Sequence, residues 1–485
     1  MSDNPNIILI LTDHLRPDVL TGPQSRKTMP CLMGIADRGT LFTNCYSASP
    51  LCQPARSSII TGLYPSQHGI CGNQAPPISS GLRQETFMHR LKEAGYYTAM
   101  IGKHHYLDRA GMNMDVRDDY PTVKGYGFDH VFTVDDDHIN LYNNDEYTQY
   151  MKDTGRFEEF KRVFEERAWE CGVNPFPEDD IPDGFIGLTG EKFVREYGRE
   201  EPFYLNLSFI GPHPPYWHPG NLQHDPEVME EPLGTDCPEQ PYRGEVLYEA
   251  KGLSARENRA HYMDKCSLID RQIERLTTAL QERGLLENTV IIFTSDHGDN
   301  LGDYGIWDKR FFYEQSVGVP LILAGPGVPR QERLNGARLS KALVTHLDLY
   351  PTMLELAGID RDAANYSRRA GHNLFRPGRS LLAALADEYG GGPAGFHDAV
   401  FAELATSVMV RTAGWKLVFD PEQGGVTHLY NLTVDHHESE NLAGRAGYEM
   451  ITARLIEKLL GHRITCTQYT HQKEEKRLQH IRAGL

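Results

Sequence analysis

No hydrophobic run in the sequence approaches the roughly 20 residues that span a bilayer, so no membrane partner is expected. Met1–Asn6 is short and polar, and the first apolar run, Ile7–Leu11, is too short for the core of a signal peptide. A cytoplasmic protein is the expectation. The eight cysteines (31, 45, 52, 71, 171, 237, 266 and 466) contain no CxxC pair. That argues against a zinc ribbon or a thioredoxin-like motif, and in a reducing compartment most should be free buried thiols. Internal repeats and low-complexity tracts are absent, which excludes a fibre. Positive charge is in deficit: 49 Lys+Arg against 67 Asp+Glu give −18. Such a chain repels phosphate, so nucleic acid is not an expected partner.

What is present is ordinary for a folded protein. The apolar set is 40%, and the 45 glycines among 485 residues bring it to about 49%. The length has room for roughly two to four domains. Asn6–Thr12 is a continuous β-branched and leucine run, the pattern of a parallel strand buried on both faces. Similar runs recur at Tyr97–Ile101, Phe203–Phe209, Thr289–Ser295 and Val319–Ala324. Helical patterns lie between them: Met29–Arg38, Glu85–Ala94, about Ala255–Arg283 and Leu347–Ala357, each stopped by a glycine. This alternation predicts an α/β domain with a large, mostly parallel sheet sandwiched by helices. Ligands in such sheets bind beyond the carboxyl ends of strands. Asp13-His14, Gly102–His105 and Asp296–Asn300 sit there.

After about residue 390 the pattern changes. Gly390–Pro393 is a breaker cluster, followed by short strands at Val400–Leu404, Ser407–Arg411, Trp415–Phe419 and His428–Asn431. These predict a small antiparallel sheet with a helix at about Tyr448–Leu460. The division is therefore a catalytic α/β domain over 1–390, with an insertion at about 108–183, and a C-terminal α+β subdomain over 391–485. The last twenty residues are polar and mixed in charge. They read as an extended or subunit-crossing tail, which leaves a homo-oligomer open.

Ser49–Gly62 (SPLCQPARSSIITG) carries the most specific chemistry. Pro54 suits the first turn of a helix, which puts Cys52 just before its N-terminus. An anion there meets free N–H groups and the positive end of the dipole. Arg56, one turn in, offers a fork of donors to an oxyanion. A buried structural thiol is the commoner fate of a cysteine. Asp13 and Asp296 each follow a buried strand, so their carboxylates can converge on one cation, although an aspartate there is often a turn former.

Here the sequence resembles the type I sulfatases of the alkaline phosphatase-like superfamily. Cys52-Gln53-Pro54-Ala55-Arg56 with Thr61-Gly62 matches their Cys-x-Pro-x-Arg signature. Asn6–Asp13 resembles their first metal strand, and Gly102-Lys103-His104-His105 their Gly-Lys-x-His motif. Gly211–Pro215 resembles their Pro-His-x-Pro element. Ser295–Asp299 with Leu301-Gly302 resembles the second metal loop, and Trp307–Lys309 its following lysine. Val408–Phe419 with Leu429–Leu432 resembles their C-terminal sheet. The motifs run in the family's order over nearly the whole chain.

The resemblance implies a sulfatase whose Cys52 is oxidised to formylglycine by a separate maturation enzyme. It implies one divalent cation, Ca²⁺ or Mn²⁺, held by Asp13, Cys52, Asp296 and His297. The imidazole, with His14 where many members carry a second aspartate, fits Mn²⁺ better than an all-oxygen Ca²⁺ site. His14 is either a ligand or lines the site. Lys103 and Lys309 would hold sulfate oxygens or the leaving group, and His213 would donate a proton to the leaving oxygen. His105 would face the formylglycine diol, and Arg56 would help ionise it. The branch with choline and iduronate sulfatases also holds phosphonate monoester hydrolases. Hydrolysis of phosphonate monoesters or phosphodiesters on the same scaffold is therefore the alternative, and Gly-Lys-x-His favours the sulfatase. An unmodified Cys52 would instead leave a non-catalytic anion-binding protein. The expected substrate is a small sulfate ester rather than a long polyanion, since local field decides what a cleft attracts. Asp135–Asp137 reads as a solvated acidic loop. Tyr142, Tyr147, Tyr216 and Trp217 are either pocket wall or core.

Overall fold

A computed structural model describes residues 4–107, 114–136, 142–167, 171–234, 252–329, 333–334, 337–360, 366–367, 374–386 and 396–482. Its central sheet contains β1 (Asn6–Asp13), β2 (Thr40–Tyr46), β3 (Tyr97–Gly102), β4 (His130–Thr133), β5 (Phe203–Pro212), β6 (Thr289–Ser295), β7 (Gly318–Ala324) and β8 (Ala337–Thr345). The order is β8-β2-β7-β6-β1-β5-β3-β4, with a two-residue strand, Arg333–Leu334, beyond β8. Pairings are parallel except at that edge and at β7, which runs antiparallel to both β2 and β6. The run Val319–Ala324 is therefore not another parallel strand. Only loops, a short 3-10 turn (Asp303–Gly305) and the four-residue helix Glu314–Val317 separate it from β6, with no long crossover helix to carry the chain back to the start of the sheet.

The continuous apolar runs follow from burial on both faces. Along β1, Ile8 and Ile10 join one core and Ile7, Leu9 and Leu11 the other. The first core is covered by α1 (Pro30–Arg38), α4 (Pro182–Glu196) and α5 (Ala255–Glu282). The second is covered by α2 (Cys52–Thr61), α3 (Phe87–Glu93) and α6 (Leu349–Leu356). A capping box starts α5: Ser254 Oγ accepts from Glu257 N, and Glu257 Oε2 accepts from Ser254 N.

The C-terminal part is a four-stranded antiparallel meander of β9 (Val400–Leu404), β10 (Ser407–Arg411), β11 (Trp415–Asp420) and β12 (Gly425–Asn431). A helix, α7 (Glu449–Arg482), packs Leu455 and Leu459 on it. The expected extended tail is helical along its backbone as far as Arg482, where the described residues end. Between Gly461 and Ala483 it holds neither proline nor glycine and is rich in Arg, Lys, Glu and Gln, all good helix formers. The breaker at 390–393 lies outside the described residues, as do 108–113, 137–141 and 168–170 of the 108–183 segment. The described remainder of that segment supplies edge strand β4 and the helices Glu146–Asp153 and Phe157–Arg167.

Candidate active site

Strand register brings the site together. Thr12 of β1 lies opposite Ser295 of β6, and Asp296 N donates to Thr12 O at 3.0 Å. Asp13 and Asp296 thus leave neighbouring strands at the same end, and both are fully buried. On the other flank of β1, Gly102 of β3 lies opposite Ser208 of β5, and Lys103 N donates to Ser208 O at 2.9 Å. Gly102 has φ +98°, and a Cβ there would lie 2.0 Å from Ser208 O. Only glycine lets the chain turn Lys103 into the site.

Helix α2 delivers Cys52 from above the sheet. Cys52 is its first residue rather than the one before it, a difference within the usual scatter of helix ends. Its Sγ lies 3.0 Å from Lys309 Nζ, 3.2 Å from His297 Nε2 and 3.6 Å from Asp13 Oδ1. One turn on, Arg56 is buried and spans the floor. Nε donates to Asp296 Oδ2 at 2.7 Å, and Nη1 to Lys103 O at 2.8 Å and Ser208 Oγ at 2.9 Å. Nη2 lies 3.6 Å from Asp13 Oδ2. Asn73 Oδ1 accepts from the N–H of Gln53 at 3.0 Å, so one free amide of the helix start is taken.

The electrostatics favour negative charge at position 52. Burial alone would raise the Cys52 thiol, but Lys309, His297 and Lys103 outweigh it, with a hydrogen bond from His105, and hold it well below its ordinary value. Lys103 and Lys309 stay protonated despite burial, the first through Asp13 and Asp136, the second through Cys52, Asp308 and Asp13. Asp13 is lowered: Lys103 and Lys309 overcome burial and the Cys52 charge. Asp296 is raised, by burial and then by Asp13 beside it.

A divalent cation fits these donors. His297 donates its Nδ1–H to Gly298 O at 2.8 Å, so in the neutral ring Nε2 is the bare nitrogen. That nitrogen faces Asp13 Oδ1 at 3.4 Å and Asp296 Oδ1 at 3.6 Å. Acceptors facing acceptors in a buried place need a shared cation. Donor atoms of Asp13, His14, Cys52 and His297 all lie within 4.8 Å of one another. Asp296 is outside that set. Its Oδ2 is held by Arg56 and its Oδ1 by the N–H of His297 at 2.8 Å.

His14 lines the cluster with its own anchors. Its Nδ1–H donates to Asp299 Oδ2 at 2.8 Å, and its Nε2 accepts from Lys309 Nζ at 2.6 Å. An ammonium has only donors, so His14 accepts and is neutral in this contact; burial and Lys309 favour that state, while the hydrogen bond to Asp299 and the Asp13 charge pull its pKa upward. Its backbone is left-handed, φ 67°, held by a hydrogen bond from Tyr262 Oη to His14 O at 2.8 Å. His213 lies beside it, ring centroids 4.5 Å apart. His213 is kept well below its ordinary pKa by burial and then by Lys309, and its Nδ1–H is committed to Pro214 O at 2.7 Å. It rests neutral, so the expected proton donor holds no proton to give at Nε2. His105 Nε2 lies 3.4 Å from Asn73 O.

Several readings change in place. Asp135 and Asp136 are buried, not solvated, because Lys103 bridges Asp136 to Asp13, the latter at 2.5 Å. Asp137 lies outside the described residues. Tyr147, Tyr216 and Trp217 are core, while Tyr142 is exposed. Cys71 is exposed, whereas Cys45, Cys52, Cys171, Cys266 and Cys466 are buried free thiols. Asn73 carried no recognisable signal, and Asp136 and Asp299, though inside an acidic run and the second metal-loop motif, gave no sign of these roles. Each acts through a partner distant in sequence.

A mostly parallel sheet with a buried carboxylate–imidazole–thiol cluster at its carboxyl edge, ringed by Arg56, Lys103 and Lys309, defines a hydrolase for tetrahedral oxyanion esters. The family model described as sulfatase matches residues 5–359. The chain belongs to the sulfatase family and is a sulfuric ester hydrolase. It is 29% identical over 476 residues to the choline-sulfatase of Rhizobium meliloti, covering 90% of this chain and 82% of that protein. It is 29% identical over 383 residues to the arylsulfatase of Clostridium perfringens, covering 73% of this chain and 75% of that protein. Its fold is shared with the phosphonate monoester hydrolase of Silicibacter pomeroyi, at TM-score 0.76, 22% identity and 96% coverage of both chains.

Proposed function

We propose that the protein hydrolyses a small sulfate ester to an alcohol and inorganic sulfate, after a separate maturation enzyme has converted Cys52 to formylglycine. The observation that carries this reading is the buried meeting of Cys52 Sγ with Lys309 Nζ and His297 Nε2, at 3.0 and 3.2 Å, at the start of a helix whose Arg56 holds Asp296. The hydrated aldehyde would supply one hydroxyl to attack sulfur and a second for expelling sulfate afterwards, which neither Cys nor Ser can do. A divalent cation, Ca²⁺ or Mn²⁺, held by Asp13, Asp296, His297 and position 52, would supply Lewis-acid polarisation.

The chain's own residues do the rest. Sγ stands in for the attacking oxygen, and Lys309 offers it a hydrogen bond and a fixed positive charge. Arg56 keeps both carboxylates in place and balances their charge. Lys103, protonated between Asp13 and Asp136, binds sulfate oxygen and gives the leaving oxygen its proton. The neutral His213 accepts a hydrogen bond from substrate, and His105 takes the diol proton when sulfate leaves. Cys52→Ala abolishes turnover in this account, and intact mass of active enzyme shows the thiol-to-aldehyde conversion at residue 52. Full turnover by a clean Cys52→Ala preparation overturns it.

A further inference from the structure

A second group of metal-ligating side chains lies apart from the Cys52 cluster. Helix α5 carries His261 and Asp264 three residues apart, on one face. The short strand Trp217–Pro219, just past the His213 loop, sets His218 against them. One donor atom from each of the three lies within 4.8 Å of the other two. His218 Nε2 is 3.0 Å from His261 Nδ1 and 3.5 Å from Asp264 Oδ2. Tetrahedral zinc, with bonds of about 2.0–2.1 Å, separates neighbouring donors by about 3.3 Å. The two measured separations bracket that length.

The surroundings orient these donors as outer partners orient metal ligands. His218 Nδ1–H donates to Pro219 O at 3.1 Å, which turns the Nε2 lone pair toward His261 and Asp264. Asp264 Oδ1 accepts from His224 N at 2.8 Å and His224 Nδ1 at 2.7 Å, leaving Oδ2 on the imidazole side. Thr28 Oγ1 meets the other nitrogen of His224 at 3.2 Å. Burial is the largest influence on His218 and His261 and lowers both below their ordinary pKa, so both are unprotonated at neutral pH. His218 and Asp264 are buried and His261 is half-buried, which gives an ion a way in and a position for water.

We propose that His218, His261 and Asp264 form a second site, for a zinc-type divalent transition metal. Two imidazoles and one carboxylate are the donor set of such an ion rather than of Ca²⁺ or Mg²⁺. The ion clasps the chain beyond the His213 loop to α5. The adjacent Lys265 holds the same loop, its Nζ donating to His213 O at 2.8 Å and Pro215 O at 3.1 Å. The competing occupant of the gap is a single proton shared between His218 Nε2 and His261 Nδ1.

The test is metal content per chain. Full-length protein saturated with Mn²⁺ is exposed to Zn²⁺, freed of excess by gel filtration and analysed for both metals by mass spectrometry. Wild type gains one zinc equivalent without losing manganese, and Co²⁺ in place of zinc gives the visible absorption of a tetrahedral site. His261→Ala and His261→Gln, changed at the half-buried ligand and keeping wild-type circular dichroism, each lose that equivalent. Wild type that takes up no zinc beyond displaced manganese overturns the proposal, and so does unchanged zinc content in either folded variant.

Discussion

Replacing Arg56 by methionine keeps the bulk and the helix but removes a cation that touches both Asp296 and the Asp13 side of the cluster. Arg56 is 1% exposed and its Nε bond to Asp296 Oδ2 is 2.7 Å. Removing one partner of a buried, hydrogen-bonded ion pair costs about 3–5 kcal/mol, because the other charge stays buried and uncompensated. A chain of 485 residues unfolds with an entropy near roughly 1 kcal/mol per kelvin, so the melting temperature falls by about 3–5 °C. Scanning calorimetry on chelator-treated protein reads this without interference from metal. Adding Asp296→Asn to Arg56→Met removes the stranded charge and recovers part of the loss, a coupling that a double-mutant cycle isolates. Because Arg56 holds Asp296 and faces Asp13, its loss also displaces the carboxylates around position 52 and lowers kcat by about 10²-fold. An Arg56→Met enzyme that melts with wild type and retains wild-type kcat refutes the role assigned to this fork.

Gly102→Ala puts a methyl 2.0 Å from Ser208 O at φ +98°, so β3 and β5 must part where Lys103 is aimed. The expected result is a melting temperature about 1–3 °C lower, from the roughly 1–3 kcal/mol that overpacking costs, together with a reduced kcat/KM because Lys103 is displaced; an unchanged enzyme contradicts it. His68 is buried between Ser58 Oγ at 3.0 Å and the N–H of Ile70 at 3.1 Å, and burial lowers its pKa from 6.5 to about 3. Its contribution to stability is complete above 6.5 and is lost as pH falls toward about 3, at up to about 1.4 kcal/mol per pH unit, because only the unfolded chain takes the proton. Chemical denaturation of wild type and His68→Gln across that window should show the two converging as pH falls, and parallel curves contradict the assignment.

The strands buried on both faces could be read from their continuous apolar runs. β2 (TLFTNCY) and β8 could not, because polar residues interrupt them near the edge of the sheet. The end of α7 escaped for a related reason: a polar segment without an apolar stripe shows helix propensity but no period. In the site, Asp13, Asp296 and Cys52 sit at strand ends and a helix start, but it was the resemblance to the sulfatase motifs that singled them out together with His297. Asp136, Asp299 and Asn73 did not show their roles, since what each does depends on Lys103, His14 or Gln53, and a charge partner cannot be seen along the chain. Asp136 shows this most clearly: the same carboxylate is a solvated loop residue without Lys103 and a buried one with it. The neutral state of His213 likewise comes from its burial and from Lys309, which the fold alone brings beside it.

The central claim is tested most directly by kcat/KM for an aryl sulfate and for a phosphonate monoester of the same phenol. Both are measured on metal-replete enzyme whose intact mass shows conversion of Cys52. Preference for the sulfate, lost in Cys52→Ala, is the expected result. Preference for the phosphonate, or no turnover of the sulfate by fully converted enzyme, contradicts the account.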